Sequence, residues 1–409
     1  MRILKIWDAD YPWDVRVEKV MRSLGEAGHE VHLVARNNKH SPIEETLPEG
    51  RVHRLRPWGF LPRKVDGLAQ FPAFVNPRWY ARLMEVGRKI DAEVVLVRDL
   101  PLAPAALAAA RRLGVPVVLD MAENYPAMIR DIWLGGRQGP LDFLVRNPKL
   151  VSMVEKRTLP AMDHVIVVVA ESGARIEKLG VSPDRITVVS NTPLESRIPE
   201  HPVDVEHSTD TLRMVYLGLL EKPRGIETVL DGVALLRDRG VKVFVDIIGG
   251  GMDEKLFHET AERNALGPDI VHFHGMLPYD DALAIFHRTD VGLVPHFAVE
   301  SCSTTIPNKL FDYMSYGLPV ITTDMPPAER IVNDIGSGAV FRSEDPVDFA
   351  RAVESLVDLS VRSRCGSSGR RAITATYNWT QDAGRLVDAL ETTVRTHCGS
   401  ASRSHPTLP

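Results

Sequence analysis

Residues 302–320 read CSTTIPNKLFDYMSYGLPV, and side chains able to do chemistry crowd together there. Ser303, Thr304 and Thr305 run into Ile306-Pro307, and the pattern predicts a helix over 308–316 closed by Gly317. Proline near a helix start and glycine just past its end are the usual punctuation. The first turn of such a helix presents unpaired backbone N–H groups at the positive end of the dipole, and the two together bind anions. Lys309 and Asp312 lie three residues apart, on one face and within about a turn of that end. A lysine there neutralises phosphate, and a carboxylate accepts hydrogen bonds from two adjacent sugar hydroxyls. Phosphate beside a diol describes a nucleotide. A surface helix with a solvated Lys/Asp pair is the plainer alternative that the same spacing allows.

The elements that must position this stretch repeat a strand-helix-strand pattern, the signature of a parallel α/β sheet. In the first half, strands are expected at 2–7, 31–34, 93–97, 117–120, 165–169 and 186–189, with helices at 17–24, 103–113 and 171–179. Two strand-end loops hold polar groups where open α/β sheets place ligands: 9–16, with Asp14 and Arg16, and 120–126, with Glu123. Neither contains G-x-G-x-x-G, which argues against a nicotinamide dinucleotide. A polar stretch over 191–210 reads as a linker between domains. The second half repeats the pattern, with strands at 212–217, 243–248, 270–273, 291–295 and 319–323 and helices at 226–237 and 347–356. Residues 379–396 read as a last helix, and 397–409 as a disordered tail.

Residues 302–320 resemble the donor-binding segment of the family 4 retaining glycosyltransferases, in which two glutamates separated by seven residues bracket this helix start. The second falls on Asp312 and the first on Thr304. The subset with a Pro-Asn-Lys-Leu-Phe-acid-Tyr-Met run, often moving amino or deoxy sugars in bacterial surface polysaccharide assembly, is the nearer likeness. The resemblance covers 2–395 and implies the GT-B fold, two Rossmann-like domains facing across a cleft. It implies a nucleoside-diphosphate sugar, UDP- or GDP-linked, in the second domain, and a glycan or lipid-linked acceptor bound mainly by the first. It also implies hexosyl or N-acetylhexosaminyl transfer with retention, and neither a cofactor nor a metal.

Carried over residue by residue, the resemblance places Arg224 and Lys309 on the departing diphosphate and Glu123 near the reacting sugar. Asp312, Thr304, Thr305, Pro307, Asn308, Lys222, Gly218, Gly250, Met276 and Leu277 then line the donor site, with Asp14 and Arg16 in the phosphate or acceptor loop. Three places depart from the family pattern: Thr304 is not acidic, Ala122 stands where a histidine is common, and Leu219 occupies the place of the first cation. Two rivals therefore stay open, a nucleotide-sugar epimerase of the same fold and a non-catalytic sugar-nucleotide-binding protein.

The whole chain agrees with this reading. Its 409 residues suffice for two domains with sizeable cores. A net charge of −5 argues against general nucleic-acid binding. Three cysteines suggest neither a disulfide framework nor a zinc site, and His272, His274 and His296 read as ordinary histidines. No apolar run approaches the roughly 20 residues that span a bilayer, so a cytoplasmic enzyme is expected. Within 51–89, nine Lys and Arg face two acidic residues, with Trp58, Phe60, Phe71, Phe74, Trp79 and Tyr80 interleaved. That segment reads equally as a patch resting peripherally on an anionic membrane surface or as core aromatics with a solvated basic rim.

Overall fold

Runs of valine, isoleucine and leucine between glycine and proline punctuation fold as inner strands of parallel sheets, covered on both faces. Val94–Arg98 and Val117–Met121 are accordingly buried at every position. The computed structural model describes residues 1–12, 14–57, 74, 76–134, 147–200 and 210–403, with side chains through 399. It divides into two units, Met1–Ser190 together with the segment from Asp382, and Asn191–Gln381.

The first unit contains β1 (Arg2–Asp10), α1 (Val15–Glu26), β2 (Glu30–Arg36), β3 (Glu44–Leu47), β4 (Gly50–Arg54), α2 (Pro77–Lys89), β5 (Val94–Arg98) and α3 (Ala103–Leu113). It continues with β6 (Val117–Met121), α4 (Tyr125–Leu134), α5 (Pro148–Thr158), β7 (His164–Val167), α6 (Ala170–Glu177) and β8 (Ile186–Val188). The sheet runs β3-β4-β2-β1-β5-β6-β7-β8. Every pairing is parallel except β3 with β4. Strand order reverses between β1 and β5, so the loops leaving those two strands flank the switch point where such sheets bind ligands.

The second unit contains β9 (Leu212–Leu217), α7 (Ile226–Asp238), β10 (Val243–Ile248), α8 (Glu254–Arg263), β11 (Val271–Gly275), α9 (Tyr279–Phe286) and β12 (Val291–Val294). After these come α10 (Asn308–Ser315), β13 (Val320–Thr323), α11 (Pro326–Ile335), β14 (Gly338–Phe341), α12 (Pro346–Glu354) and α13 (Leu359–Ala375). Its sheet is parallel in the order β11-β10-β9-β12-β13-β14, with the switch between β9 and β12. The last helix, α14 (Trp379–Arg403), starts in this unit and from Asp382 belongs to the first. It runs past 397, where a disordered tail was expected, and covers 397–403.

Within the basic and aromatic segment, Trp58, Phe60 and Phe71 lie outside the described residues. Trp79 is fully buried in the core, Phe74 packs against it, and Tyr80 is 36% exposed. Two basic residues of α2 pair with acids: Arg82 with Glu85 at 2.9 Å and Lys89 with Glu44 at 2.8 Å. Among the described residues no helix is long and apolar enough to cross a membrane.

Candidate functional site

The loops at the carboxyl ends of the second unit's strands are stitched together by backbone hydrogen bonds. Gly218 N–H donates to Ile248 O at 2.9 Å, Leu220 N–H to Gly250 O at 3.1 Å, and Gly249 N–H to Gly275 O at 2.9 Å. Across the switch point, Phe297 N–H donates to Pro223 O at 2.9 Å. Gly225 makes that approach possible: its φ is 73°, and a Cβ there would lie 1.8 Å from Pro295 O. Loop 218–225 and segment 295–297 are therefore fixed against each other, and Arg224 sits at their junction.

Helix α10 is anchored from below. Tyr313 is fully buried and its Oη accepts the N–H of Leu217, at the end of β9, at 3.0 Å. No side chain caps the helix start, and Pro307 occupies the N-cap. From its first turn Lys309 extends over the ring of Tyr216, with Nζ 3.8 Å from the centroid, a cation–π contact. A Cβ on Gly218 would lie 2.7 Å from that ammonium, so glycine is what lets Lys309 pass. Burial and then the charge of Arg224 push the Lys309 amine well below its ordinary range, against the opposing pull of Asp312. Among the described residues, Lys309 has no ion-pair partner. Arg224 is one-third exposed, with Glu221 no nearer than 4.0 Å.

The structure thus brings Gly218, Arg224, Lys309 and Asp312 together, with Thr304, Thr305, Pro307 and Asn308 leading into α10. Thr304 is 9% exposed and its Oγ1 has no hydrogen-bond partner among the described residues. Gly250 lies under Met276, whose Cγ would be 3.3 Å from a Cβ at that glycine. Met276 itself is 76% exposed, and Leu277 beside it is partly buried. Lys222 is exposed, and its backbone N–H is held by Asp253 Oδ2 at 2.7 Å. Leu219, at the place of the family's first cation, is 51% exposed. Lys309, not Lys222, joins Arg224 in disfavouring the charged form of the nearby His296 imidazole.

In the first unit the expectation for Arg16 is corrected. Its guanidinium is 3% exposed and pairs with the fully buried Asp120 at 2.6 Å, and it also donates to Val189 O at 3.0 Å. Arg16 lies in the first turn of α1 and is occupied by a carboxylate of its own chain. Asp14 caps α1, accepting from Val17 N–H at 2.9 Å, and receives Arg98 at 2.9 Å. Burial opposes ionisation of Asp120, yet Arg16, Lys5 and Arg98 outweigh it and hold the carboxyl at about 2. Glu123 is exposed in the loop after β6.

Two residues escaped sequence reasoning. Asp99, at the end of β5 beside the switch point, is 3% exposed, has φ 63° and ψ 164°, and accepts the N–H of Ala122 at 3.0 Å. That backbone region is close to glycine-only and costs about 1–3 kcal/mol for other residues. Burial raises its pKa. An Arg-Asp pair closing an apolar strand was the available signal. His296, after β12, had none beyond its residue type.

Two family models match the chain in succession, "Glycosyl transferase 4-like domain" over residues 14–192 and "Glycosyl transferases group 1" over 211–358. A D-inositol 3-phosphate glycosyltransferase of Paenarthrobacter aurescens is 21% identical over 397 residues, covering 92% of this chain and 91% of that protein. The phosphatidyl-myo-inositol mannosyltransferase of Mycobacterium leprae is 26% identical over 183 residues, 44% of this chain; the chain spans only 46% of that relative. Among solved structures, sucrose-phosphate synthase from Thermosynechococcus elongatus superposes with a TM-score of 0.76 at 16% identity, covering 97% of this chain and 99% of that one. Anabaena HepE in complex with UDP-glucose gives 0.68 at 12% identity, covering 96% and 100%.

Proposed function

On the premise that the chain belongs to the group 1 glycosyltransferases of GT-B fold, we propose that it moves a glycosyl group from a nucleoside-diphosphate sugar to a glycan or lipid-linked hydroxyl, with retention at the anomeric carbon. The second unit holds the UDP- or GDP-linked donor, and the first supplies the acceptor determinants. The observation that carries this reading is the Lys309 side chain, held over Tyr216 beside Arg224 with no carboxylate paired to it among the described residues. Two fixed cations and an uncapped helix start suit the charge that grows on a departing diphosphate.

As the bond from the anomeric carbon to the β-phosphate oxygen breaks, that oxygen gains negative charge, which Arg224 and Lys309 offset. The acceptor oxygen bonds to the same face of the sugar. Its proton passes to the leaving phosphate oxygen, so no separate base is required. Asp312 holds the ribose diol, and Glu123 meets the reacting sugar. The step needs no metal, so turnover persists in EDTA.

The test begins with thermal shifts against UDP-, GDP-, ADP- and dTDP-sugars, with UDP-glucose first because HepE was solved with it. A hundredfold excess of ligand over its dissociation constant stabilises by about 2.7 kcal/mol, and Arg224→Ala and Asp312→Ala are expected to abolish the shift. The donor assignment is refuted if no nucleotide sugar stabilises the wild type. Binding without transfer to any acceptor or to water indicates a binding protein, and interconversion of the free donor indicates an epimerase. NMR of the product's anomeric signal decides retention.

A further inference from the structure

His296 lies immediately after β12, on the far side of the switch point from Arg224. It is 1% exposed, and its Nδ1 has no hydrogen-bond partner among the described residues. A buried ring nitrogen left unpaired is destabilising, so most buried histidines find a partner inside the protein. His274 does so, with Nε2 donating to Asp246 Oδ1 at 2.7 Å.

His296 has no room to seek one. Its carbonyl accepts the Thr323 hydroxyl at 2.6 Å. On one side Pro295 O faces Gly225 at a distance no Cβ could share, and on the other Phe297 N–H is bonded to Pro223 O. The backbone is held from β13 and from the Arg224 loop at once. Protonation offers no relief either: burial, then Lys309, then Arg224 all disfavour the imidazolium. A neutral imidazole fixed beside two cations suits a ligand that brings its own acceptor atoms and negative charge.

We propose that His296 is a substrate-binding residue whose Nδ1–H donates to a phosphate oxygen of the nucleoside diphosphate, alongside the Arg224 guanidinium and the Lys309 ammonium. The assignment rests on the donor site proposed above and adds a neutral, directional contact to it. Because the imidazole is uncharged, it adds no repulsion to the two cations before the diphosphate arrives. The Nδ1 proton lets it contribute a hydrogen bond once the diphosphate is there.

The experiment measures dissociation constants of UDP, GDP and ADP by titration calorimetry for wild type, His296→Leu, His296→Asn and Arg224→Ala. The nucleosides and ¹⁵N-histidine NMR serve as controls. For the diphosphate that binds the wild type best, His296→Leu is expected to weaken binding about tenfold to a hundredfold, the worth of a hydrogen bond to a charged group. His296→Asn, with an amide nitrogen near the place of Nδ1, recovers most of that loss. The ligand-free thermal midpoint of His296→Leu does not fall, because the leucine removes an unpaired polar atom. In wild type the His296 Nδ1 resonance moves on adding the diphosphate and stays put with the nucleoside.

The proposal is overturned if Arg224→Ala loses affinity while His296→Leu keeps it, or if the resonance is indifferent to diphosphate. Should His296→Leu fold poorly, the wild-type resonance decides alone. If none of the three diphosphates binds the wild type, the donor site falls and this contact falls with it.

Discussion

Replacing Asp120 by asparagine removes a carboxylate bonded to the Arg16 guanidinium, in a pair 2.6 Å long with partners 3% and 0% exposed. Breaking such a buried pair from one side costs about 3–5 kcal/mol, because the surviving charge stays desolvated. Asp120→Asn belongs at the upper end, since Lys5 and Arg98 also rely on that carboxylate. Arg16→Met is milder, as those two cations still face Asp120. The double variant Arg16→Met, Asp120→Leu is expected to recover most of the loss, because well-packed apolar replacements of buried pairs are often close to neutral. A double-mutant cycle isolates the coupling.

The pH dependence follows from the same geometry. The folded carboxyl sits at about 2, below its unfolded value of 3.8, a depression worth about 2 kcal/mol. That stability is complete above pH 3.8 and is lost as pH falls through about 2, so Asp120→Asn should flatten this part of the wild-type curve. Urea unfolding of the first unit's transition, followed from pH 7 to pH 2, is the assay. A loss below about 0.5 kcal/mol for Asp120→Asn, with an unchanged acid limb, would falsify the pairing and return Arg16 to the list of ligand contacts.

Three other substitutions, with Gly240→Ala as a control, read out neighbouring claims. Lys5 is fully buried, and burial lowers its amine to about 8 from 10.5, with Asp120 opposing. Its charge therefore opposes folding below pH 8, and stability should rise by about 3 kcal/mol between pH 8 and 10.5. Lys5→Met should bring that gain to neutral pH, and a less stable variant in denaturant titration would refute the sign. Gly225→Ala forces a side chain into the left-handed region and onto Pro295 O, with a backbone penalty of about 1–2 kcal/mol before any clash. The nucleotide-dependent thermal shift should vanish with it, whereas Gly240→Ala, also at positive φ but with no atom within 4 Å, should keep that shift. Leu219→Arg adds a cation at an exposed position, so ligand-free stability should stay within about 0.5 kcal/mol while calorimetry shows tighter nucleoside diphosphate binding. Unchanged or weaker binding would show that the diphosphate does not pass that residue.

What could be read from the chain, and what could not, divides along one physical line. Strands buried on both faces announce themselves, because a run such as 243–248 has no other stable use, and glycine and proline mark where such runs stop. Hence most sheet strands and the helix at 308 were legible, and with them the loops where ligands bind. The β3–β4 hairpin was not, since Glu44–Leu47 alternates partly buried and exposed positions without an apolar face. Helix α13 was hidden for a different reason: it carries Gly366 and Gly369, which the helix scale penalises. Gly366 is used there because a Cβ would lie 1.9 Å from Gly317 O, at the turn that ends α10.

Site residues obey a harsher rule. Read from sequence, Arg16 and Arg224 look alike as arginines in strand-end loops, and what separates them is the nearest carboxylate. For Arg16 that is Asp120, 104 positions away and within 2.6 Å; for Arg224 the nearest among the described residues is Glu221 at 4.0 Å. The same test separates His274, held by Asp246, from His296, whose Nδ1 has no partner among the described residues. Residue type and loop position nominate a ligand contact, but only the three-dimensional count of unpaired donors selects it. By that count Arg16 is paired within its own chain, and Lys309, Arg224 and His296 stay the residues we propose for the diphosphate.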